Sequence, residues 1–569
     1  AAYYYDLHGR LVQSNGRNHL GGKDRYLARY DFTGRPVQTR ESHSSSASGS
    51  QRGLTTTLAY DHDGRLSSQR LALSSATIPM TTNYSYDEAG RLSEKTLGPT
   101  PVSYAYNVRG WIGKIASAPF VSELRYENPR YGGAPLYSGM VSQWTWKHGQ
   151  QPENDYVFSY DGVGRMVAAK HFVDGARTDG YTERGIRYDA NGNLLAISRT
   201  AGGAVSDSLR FTLGGDVLLD VSGTSTGVFE YDPSGNLVKD GLNRLEFSYN
   251  CLNLMQTVQT TVGASKAQFT YGSDGRKLSA RAGTGGFEYL GSLIYAYRGG
   301  TLSLAQAVTD EGTIQSAGVN YFIRDHLGSV RAVVDHTGKI VERNDYYPFG
   351  GRHENSALSL SATNRYKFGG KESLEPVSLD MLDFGARFYD PRIARWNTQD
   401  PLAEKYFSLS PYNYCAGNPI TLVDPTGMVM DDYRLKKNGE IELMKKTNDN
   451  YDVIYAENEK GEIDLFNTIS IDRGILSNKI TGTITPHGKE YSYDAYVLNN
   501  NDQAQSLFEF VSDHSDVEWG LSSLAYRQYS EGNILTTTHL YAEEYGGYEI
   551  FKRFAKLPIE EVRYLMYQH

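Results

Sequence analysis

The chain has 569 residues, of which 57 are basic and 66 acidic, and its formal net charge of −9 excludes a generally basic nucleic-acid binder. Hydrophobic residues make up 39%, enough apolar surface for a real core, so a disordered chain is excluded too. Cys251 and Cys415 are the only cysteines, which rules out a disulfide scaffold and a four-cysteine zinc site, and no apolar run approaches the roughly 18 residues that span a bilayer.

The first residues, Ala1-Ala2-Tyr3-Tyr4-Tyr5, lack a basic stretch followed by an apolar one, so they carry no targeting signal. They start in mid-pattern, and the expectation is a fragment of a longer chain. The pattern is Tyr-Asp, two variable residues, Gly, Arg or Asn, then an apolar residue. It runs Tyr5-Asp6…Gly9-Arg10-Leu11, Tyr30-Asp31…Gly34-Arg35, Tyr60-Asp61…Gly64-Arg65-Leu66 and Tyr86-Asp87…Gly90-Arg91-Leu92. Later copies begin at Tyr160, Tyr188 and Tyr231, and degenerate ones at Tyr106, Tyr249 and Tyr271. Most intervals fall between 18 and 30 residues, the mark of an array of supersecondary units.

Each unit predicts a β-hairpin. The Tyr ends one strand, Asp-x-x-Gly supplies turn chemistry because Asp bonds the backbone ahead and Gly accepts positive φ, and the apolar residue starts the return strand. Neighbouring hairpins then pair into a long strip. An ordinary β-sandwich or propeller with Tyr-rich strands is the other reading, and the irregular spacing argues against propeller blades.

These residues resemble the YD-repeat, or rearrangement-hotspot (RHS), family, over about residues 1–428. The most specific stretches are Tyr321-Phe322-Ile323-Arg324-Asp325-His326-Leu327-Gly328-Ser329-Val330-Arg331, Asp345-Tyr346-Tyr347-Pro348-Phe349-Gly350, Ala386-Arg387-Phe388-Tyr389-Asp390-Pro391 and Asn418-Pro419…Asp424-Pro425-Thr426-Gly427. The resemblance implies a mostly β fold, a hairpin strip spiralled into a hollow shell that holds a variable C-terminal domain, usually a toxin. It divides the chain into a YD-repeat shell at 1–318, a core-associated region closing it at 319–428, and a variable effector at 429–569. A spiralled strip also covers edges that an open strip would expose.

The boundary carries two Asp-Pro elements, Asp400-Pro401-Leu402-Ala403 and Asp424-Pro425-Thr426-Gly427-Met428, whose aspartates lie 24 residues apart. Two carboxylates brought together can share one proton, one acting as base and the other as acid. The family's self-cleavage motif, Asp-Pro-x-Gly followed by Asp-Pro-x-Gly-Leu, implies a cut between Met428 and Val429 with Asp400 and Asp424 as the dyad and 396–399 as the approach strand. Ala403 and Met428 depart from that motif. Gln399 stands where a basic residue could stabilise an oxyanion, with Arg392 and Arg395 nearby. Both Asp-Pro pairs also suit plain turns.

After residue 428 the repeat stops, and residues 429–569 carry a formal charge of −10 against +1 for 1–428. That acidic balance disfavours a phosphate-tracking nuclease. An α+β domain is expected. Hairpins are predicted around Asn438-Gly439 and, over 454–465, around Lys460-Gly461. A helix is predicted over 502–513 with Leu507, Phe508 and Val511 on one face, strands over 517–521 and 534–539, and a second helix over 558–567 opened by Pro558. His487, His514 and His539 read as loop, solvated or strand-end residues.

Glu518 on an apolar strand, the strand ending at His539 and the terminal His569 resemble, over 510–569, the JAB/MPN metalloprotease-like toxins attached to bacterial YD-repeat proteins. That resemblance implies Glu518 as general base and His569 as a zinc ligand, zinc lowering the pKa of bound water to about 7. The remaining ligands have no counterpart in the sequence, so the metal set is expected to be incomplete here. The whole reads as a polymorphic toxin fragment, delivered or secreted, with its own C-terminal domain as cargo and an immunity protein and a delivery machine as partners. Nucleic acid is not favoured as a partner. An adhesive or carbohydrate-binding surface protein, and a nuclease effector, are the rival readings.

Overall fold

Every Tyr-Asp-x-x-Gly unit turns one hairpin corner, and the corner at Asp31 shows how. Asp31 Oδ1 accepts the backbone N–H groups of Thr33 and Arg35, both at 2.9 Å. Gly34 N–H reaches Asp31 O at 3.2 Å, and Gly34 sits at φ +95°, where a side chain would be strained. The register slips between Arg29 and Tyr30, so the turn ends in a β-bulge between Lys23–Tyr30 and Pro36–His43.

The arginine of each unit reaches forward. Arg35 Nε bonds Asp31 Oδ2 at 2.8 Å while its guanidinium lies 4.7 Å from the Tyr60 ring of the next unit. The Tyr60 hydroxyl in turn donates to Pro36 O at 2.8 Å. Arg10 over Tyr30, Arg65 over Tyr86, Arg91 over Tyr106 and Arg165 over Tyr188 repeat this at 4.7 to 5.0 Å. In the degenerate unit, Asn107 Oδ1 accepts Arg109 and Trp111 N–H at 2.9 and 3.0 Å, and Trp111 replaces the arginine by packing 5.0 Å from Tyr126.

The computed structural model describes residues 1–44, 51–353, 364–377, 379–405 and 409–428; beyond these it describes 432–437, 440–443, 451–457, 463–472, 476, 479–484, 491–498, 507–508, 510–512, 515, 519–526, 532–537 and 559–568. The chain divides into two units, Ala1–Met428 and Val429–His569. In the first, the described strands from Ala2–Tyr5 to Ile340–Arg343 form one sheet of 32 strands that pair antiparallel in chain order. The strip comes round on itself. Thr81 N–H reaches Tyr321 Oη at 3.0 Å, Lys95 pairs with Glu311 at 2.9 Å, and His19 meets Glu288 at 2.8 Å.

The strip continues past residue 318, through Gly318–Arg324, Val330–Asp335 and Ile340–Arg343. Its Asp325-His326-Leu327-Gly328 corner is itself a repeat turn, with Asp325 Oδ1 accepting Leu327 and Ser329 N–H at 3.0 Å and Gly328 at φ +78°. The strip therefore runs on to residue 343. From there to 428 the chain makes a plug. Trp146, Tyr156, Phe349, Phe368, Tyr389, Trp396 and Tyr414 lie buried in one cluster shared by strip and plug. Trp146 Nε1 donates to Asp345 at 2.8 Å, Leu237 N–H to Asn397 O at 2.9 Å and Tyr412 Oη to Gly235 O at 2.7 Å.

In the second unit the two expected hairpins form. Asp432–Leu435 pairs antiparallel with Ile441–Leu443, and Tyr451–Glu457 with Ile463–Asp472, in one four-stranded sheet. Residues 507–508 and 510–512 are helical, and Leu507, Phe508 and Val511 share a buried cluster with Leu435, Ile454 and Leu535. A five-stranded antiparallel sheet follows. Its Gly532–Thr537 strand meets the expectation over 534–539, and the strand expected from 517 is described from Trp519. The helix expected over 558–567 is instead the strand Ile559–Gln568 along the edge of Trp519–Tyr526. Val562, Tyr564 and Tyr567 are strand formers, and the open ladder outweighs the helix-start signal of Pro558 and its acids.

Candidate self-cleavage site

The candidate site grows from a small antiparallel sheet in the plug, Glu372–Ser373, Leu382–Asp383, Phe388–Asp390 and Arg395–Trp396. Arg387 precedes the third of these strands, and Asp400 follows the fourth. Asp400 N–H bonds Pro411 O at 2.9 Å, and Asp400 Oδ1 accepts Leu402 N–H at 2.7 Å. Asp424 builds the same kind of turn, with its Oδ1 accepting Thr426 and Gly427 N–H at 3.2 and 2.7 Å. Both aspartates thus cap their own turns, as plain turn formers would.

The second oxygens do something else. Asp400 Oδ2 and Asp424 Oδ2 lie 2.8 and 3.3 Å from the same nitrogen, Arg387 Nη2. The structure brings the two sequence-identified carboxylates together on one guanidinium. Arg387 is 2% exposed and each aspartate 8%, so the group is largely screened from solvent. Burial pushes the Asp424 carboxyl up to about 6; Arg387 opposes this and the neighbouring Asp400 adds to it. One cation shared by two buried acids leaves room for one proton on the pair.

Arg387 was invisible to sequence reasoning as a site residue. It lies 37 residues before Asp424, inside a motif noted only for family likeness. Its Nε donates to Gly427 O, its Nη1 to Pro411 O at 3.1 Å, and its guanidinium stacks 4.2 Å from Trp396. The arginines expected near the dyad are engaged elsewhere. Arg392 Nη2 bonds Asp207 at 3.1 Å and Ser225 at 2.8 Å, while Arg395 Nη1 bonds Asn193 at 3.1 Å and its Nη2 bonds Asp216 O.

The departure at Ala403 is harmless to the turn. Ala403 N–H bonds Asp400 O at 3.0 Å and opens the 3-10 turn Ala403–Lys405, with no left-handed φ. Gly427 is different: it sits at φ +71°, and a Cβ there would stand 2.9 Å from Phe384 Cβ and 3.0 Å from Arg387 N.

Residues 137–420 match the family model of the Teneurin YD-shell, and residues 496–569 that of JAB-like toxin 1. This stretch of the chain is a YD shell. Among curated relatives, double-stranded DNA deaminase toxin A of Burkholderia cenocepacia is 26% identical over 314 residues, 48% of this chain and 20% of its own length. Toxin subunit YenC1 of Yersinia entomophaga is 31% identical over 112 residues, 19% of this chain and 11% of its own length. The chain therefore spans a fifth or less of these relatives. The YD shell has the fold seen in the TcdB2-TccC3-TEV crystal structure, with TM-score 0.57 and 18% identity over 74% of this chain and 23% of that one. The Photorhabdus luminescens Tc holotoxin pore gives the same TM-score of 0.57 at 17% identity, over 74% of this chain and 23% of that one.

Glu518, His487, His514, His539 and His569 lie outside the described residues. Among the described residues no group of three or more His, Cys, Asp or Glu stands together as a metal set, and no helix is long and apolar enough to cross a membrane.

Proposed function

We propose that this chain is the shell and cargo part of an RHS-type toxin and that the Asp400–Asp424 pair cuts it between Met428 and Val429. Residues 429–569 are then the releasable effector, enclosed until delivery and opposed in the producing cell by an immunity protein. The observation that carries this is the meeting of both Oδ2 atoms on Arg387 Nη2. The toxin relatives and the Tc-toxin fold of the YD shell favour a delivered protein over the adhesive one.

In the cut, Asp424 holds the proton and Asp400 takes one from a water molecule. The water oxygen bonds the Met428 carbonyl carbon, Asp424 gives its proton to the Val429 nitrogen, and the C–N bond breaks. Because Asp424 titrates at about 6, cleavage falls as pH rises through that value. Intact mass under denaturing conditions tests the reading. The natural chain yields a fragment with the mass of 429–569, and Asp424→Asn yields none. An uncut natural chain, or a cut Asp424→Asn chain, overturns it.

The JAB-like match over 496–569 favours a metalloprotease-type effector over a nuclease, as does the −10 charge of 429–569. Glu518 is then the general base and His569 a zinc ligand, the zinc supplying an activated water when bound. Glu518→Gln in the full-length toxin removes growth arrest of target cells while the shell stays folded. Unchanged arrest sinks the assignment.

A further inference from the structure

Hydrolysis at Met428 puts negative charge on its carbonyl oxygen, and a donor already aimed at that atom lowers the barrier. Four of the five N–H groups of Arg387 are already engaged, and none of them reaches Met428 O. Its Nη2 serves the two aspartates, its Nη1 serves Pro411 O and its Nε serves Gly427 O. Arg392 and Arg395 are tied to the strip.

Thr426 fills the role by position. Its Oγ1 donates to Met428 O at 3.1 Å. The backbone that carries it is held on both sides. Thr426 N–H bonds Asp424 Oδ1 at 3.2 Å, and Ala386 N–H bonds Thr426 O at 3.1 Å. Gly427 N–H bonds that same Asp424 Oδ1 at 2.7 Å. A β-branched side chain also has few χ1 choices, so the hydroxyl is aimed at little entropic cost. The turn that presents the catalytic acid therefore also presents a hydroxyl to the carbonyl under attack.

We propose that Thr426 is a catalytic residue of the self-cleavage, its hydroxyl donating to the oxyanion that forms on Met428. This rests on the reading of Asp400 and Asp424 as the cleaving pair. As the water oxygen bonds the Met428 carbon, the carbonyl π electrons move to the oxygen, where Thr426 stabilises them. They return as the bond to the Val429 nitrogen breaks, and Thr426 keeps its proton throughout.

The test is the cleavage rate of freshly refolded full chain, followed by intact mass across pH, for the natural protein, Thr426→Ser, Thr426→Val and Thr426→Ala. Loss of one oxyanion donor slows such reactions on the order of 10²–10³-fold. Thr426→Val and Thr426→Ala are expected to be slowed by about that factor with the pH midpoint near 6 unmoved, and Thr426→Ser to stay close to the natural rate. The alanine variant covers the case in which valine disturbs the turn. Natural-rate cleavage by Thr426→Val or Thr426→Ala overturns the inference, as does a serine variant as slow as the valine one. An uncut natural chain overturns the cleavage reading itself and the role of Thr426 with it, and a cut Asp424→Asn chain overturns the dyad.

Discussion

Arg387 is the residue on which the plug's polar chemistry turns. It is buried with two acids, so removing its charge leaves carboxylates with no cation in a site where little solvent can take its place. Breaking a buried pair of this kind costs about 3–5 kcal/mol. Arg387→Met is expected to lower the denaturant midpoint of the shell accordingly. Arg387→Lys should recover only part of the loss, because a lysine cannot reach the Pro411 and Gly427 carbonyls together with both carboxylates. A lysine variant as stable as the natural chain would show that charge alone matters. Gly427→Ala is a second case. At φ +71° and 2.9 Å from Phe384 Cβ, the added methyl is expected to cost more than about 1 kcal/mol and to slow cleavage. The two Asp-Pro turns also show what a single sequence conceals. Asp400 and Asp424 were legible because turn residues and acids announce themselves locally. Ala403 stood out only as a departure from the family's motif, and of the two turns only that of Gly427 needs a left-handed φ. Arg387 could not be found, since its partners come from segments distant in the chain.

At the scale of the hairpin, the repeat was legible because its hydrogen bonds close within five residues. Each turn asks for Asp to accept two N–H groups and for Gly to turn left-handed, and the sequence states both. The forward reach of the arginines was not legible, because nothing in one unit names its neighbour. The two halves can be separated by experiment. Asp61→Ala removes the acceptor of Asp63 and Arg65 N–H, at about 1 kcal/mol for each bond, and the partner of Arg65 Nε. It should speed hydrogen exchange in Arg52–Tyr60 and Leu66–Leu73, the two strands its turn joins. Arg65→Ala keeps that turn but takes the cation from the Tyr86 ring 4.7 Å away, so faster exchange should extend into Met80–Tyr86. Exchange confined to the altered hairpin in both variants would mean that the arginine contact does not couple neighbours. The strand Ile559–Gln568 failed as a sequence reading for the same reason. Its partner, Trp519–Tyr526, is remote in the chain, and Pro558 with its following acids carries the local signature of a helix.

Over the whole shell unit, strip and plug are joined by buried polar contacts whose charge depends on pH. Asp390 in the plug and Asp240 in the strip share the amide of Asn243, at 3.5 and 2.7 Å. Burial and the nearby Asp240 push the Asp390 carboxyl up to about 7, and burial raises Asp240 as well. Arg392, whose charge opposes this rise, is drawn off by Asp207 and Ser225. A carboxyl raised on folding contributes stability that is fully present below its unfolded value near 3.8 and is lost as pH rises through about 7. Asp424 adds a slope of the same sign that ends near 6. Asp390→Asn should therefore be less sensitive to pH between 4 and 7 than the natural chain, the difference read from thermal midpoints at each pH. Equal slopes would remove Asp390 from the account. The strip has one more consequence, a mechanical one. Because each described strand is bonded to its neighbours in chain order, tension applied at Ala2–Tyr5 loads one ladder at a time, and the sheet peels rather than shears. Trp146 on one strand, and Gly235 and Leu237 at the corner of one later hairpin, are stitched to the plug. Peeling should pause first where His19 meets Glu288 and Lys95 meets Glu311 and halt at the seams with the plug, so the force record of a single pulled molecule should show small steps before the largest one.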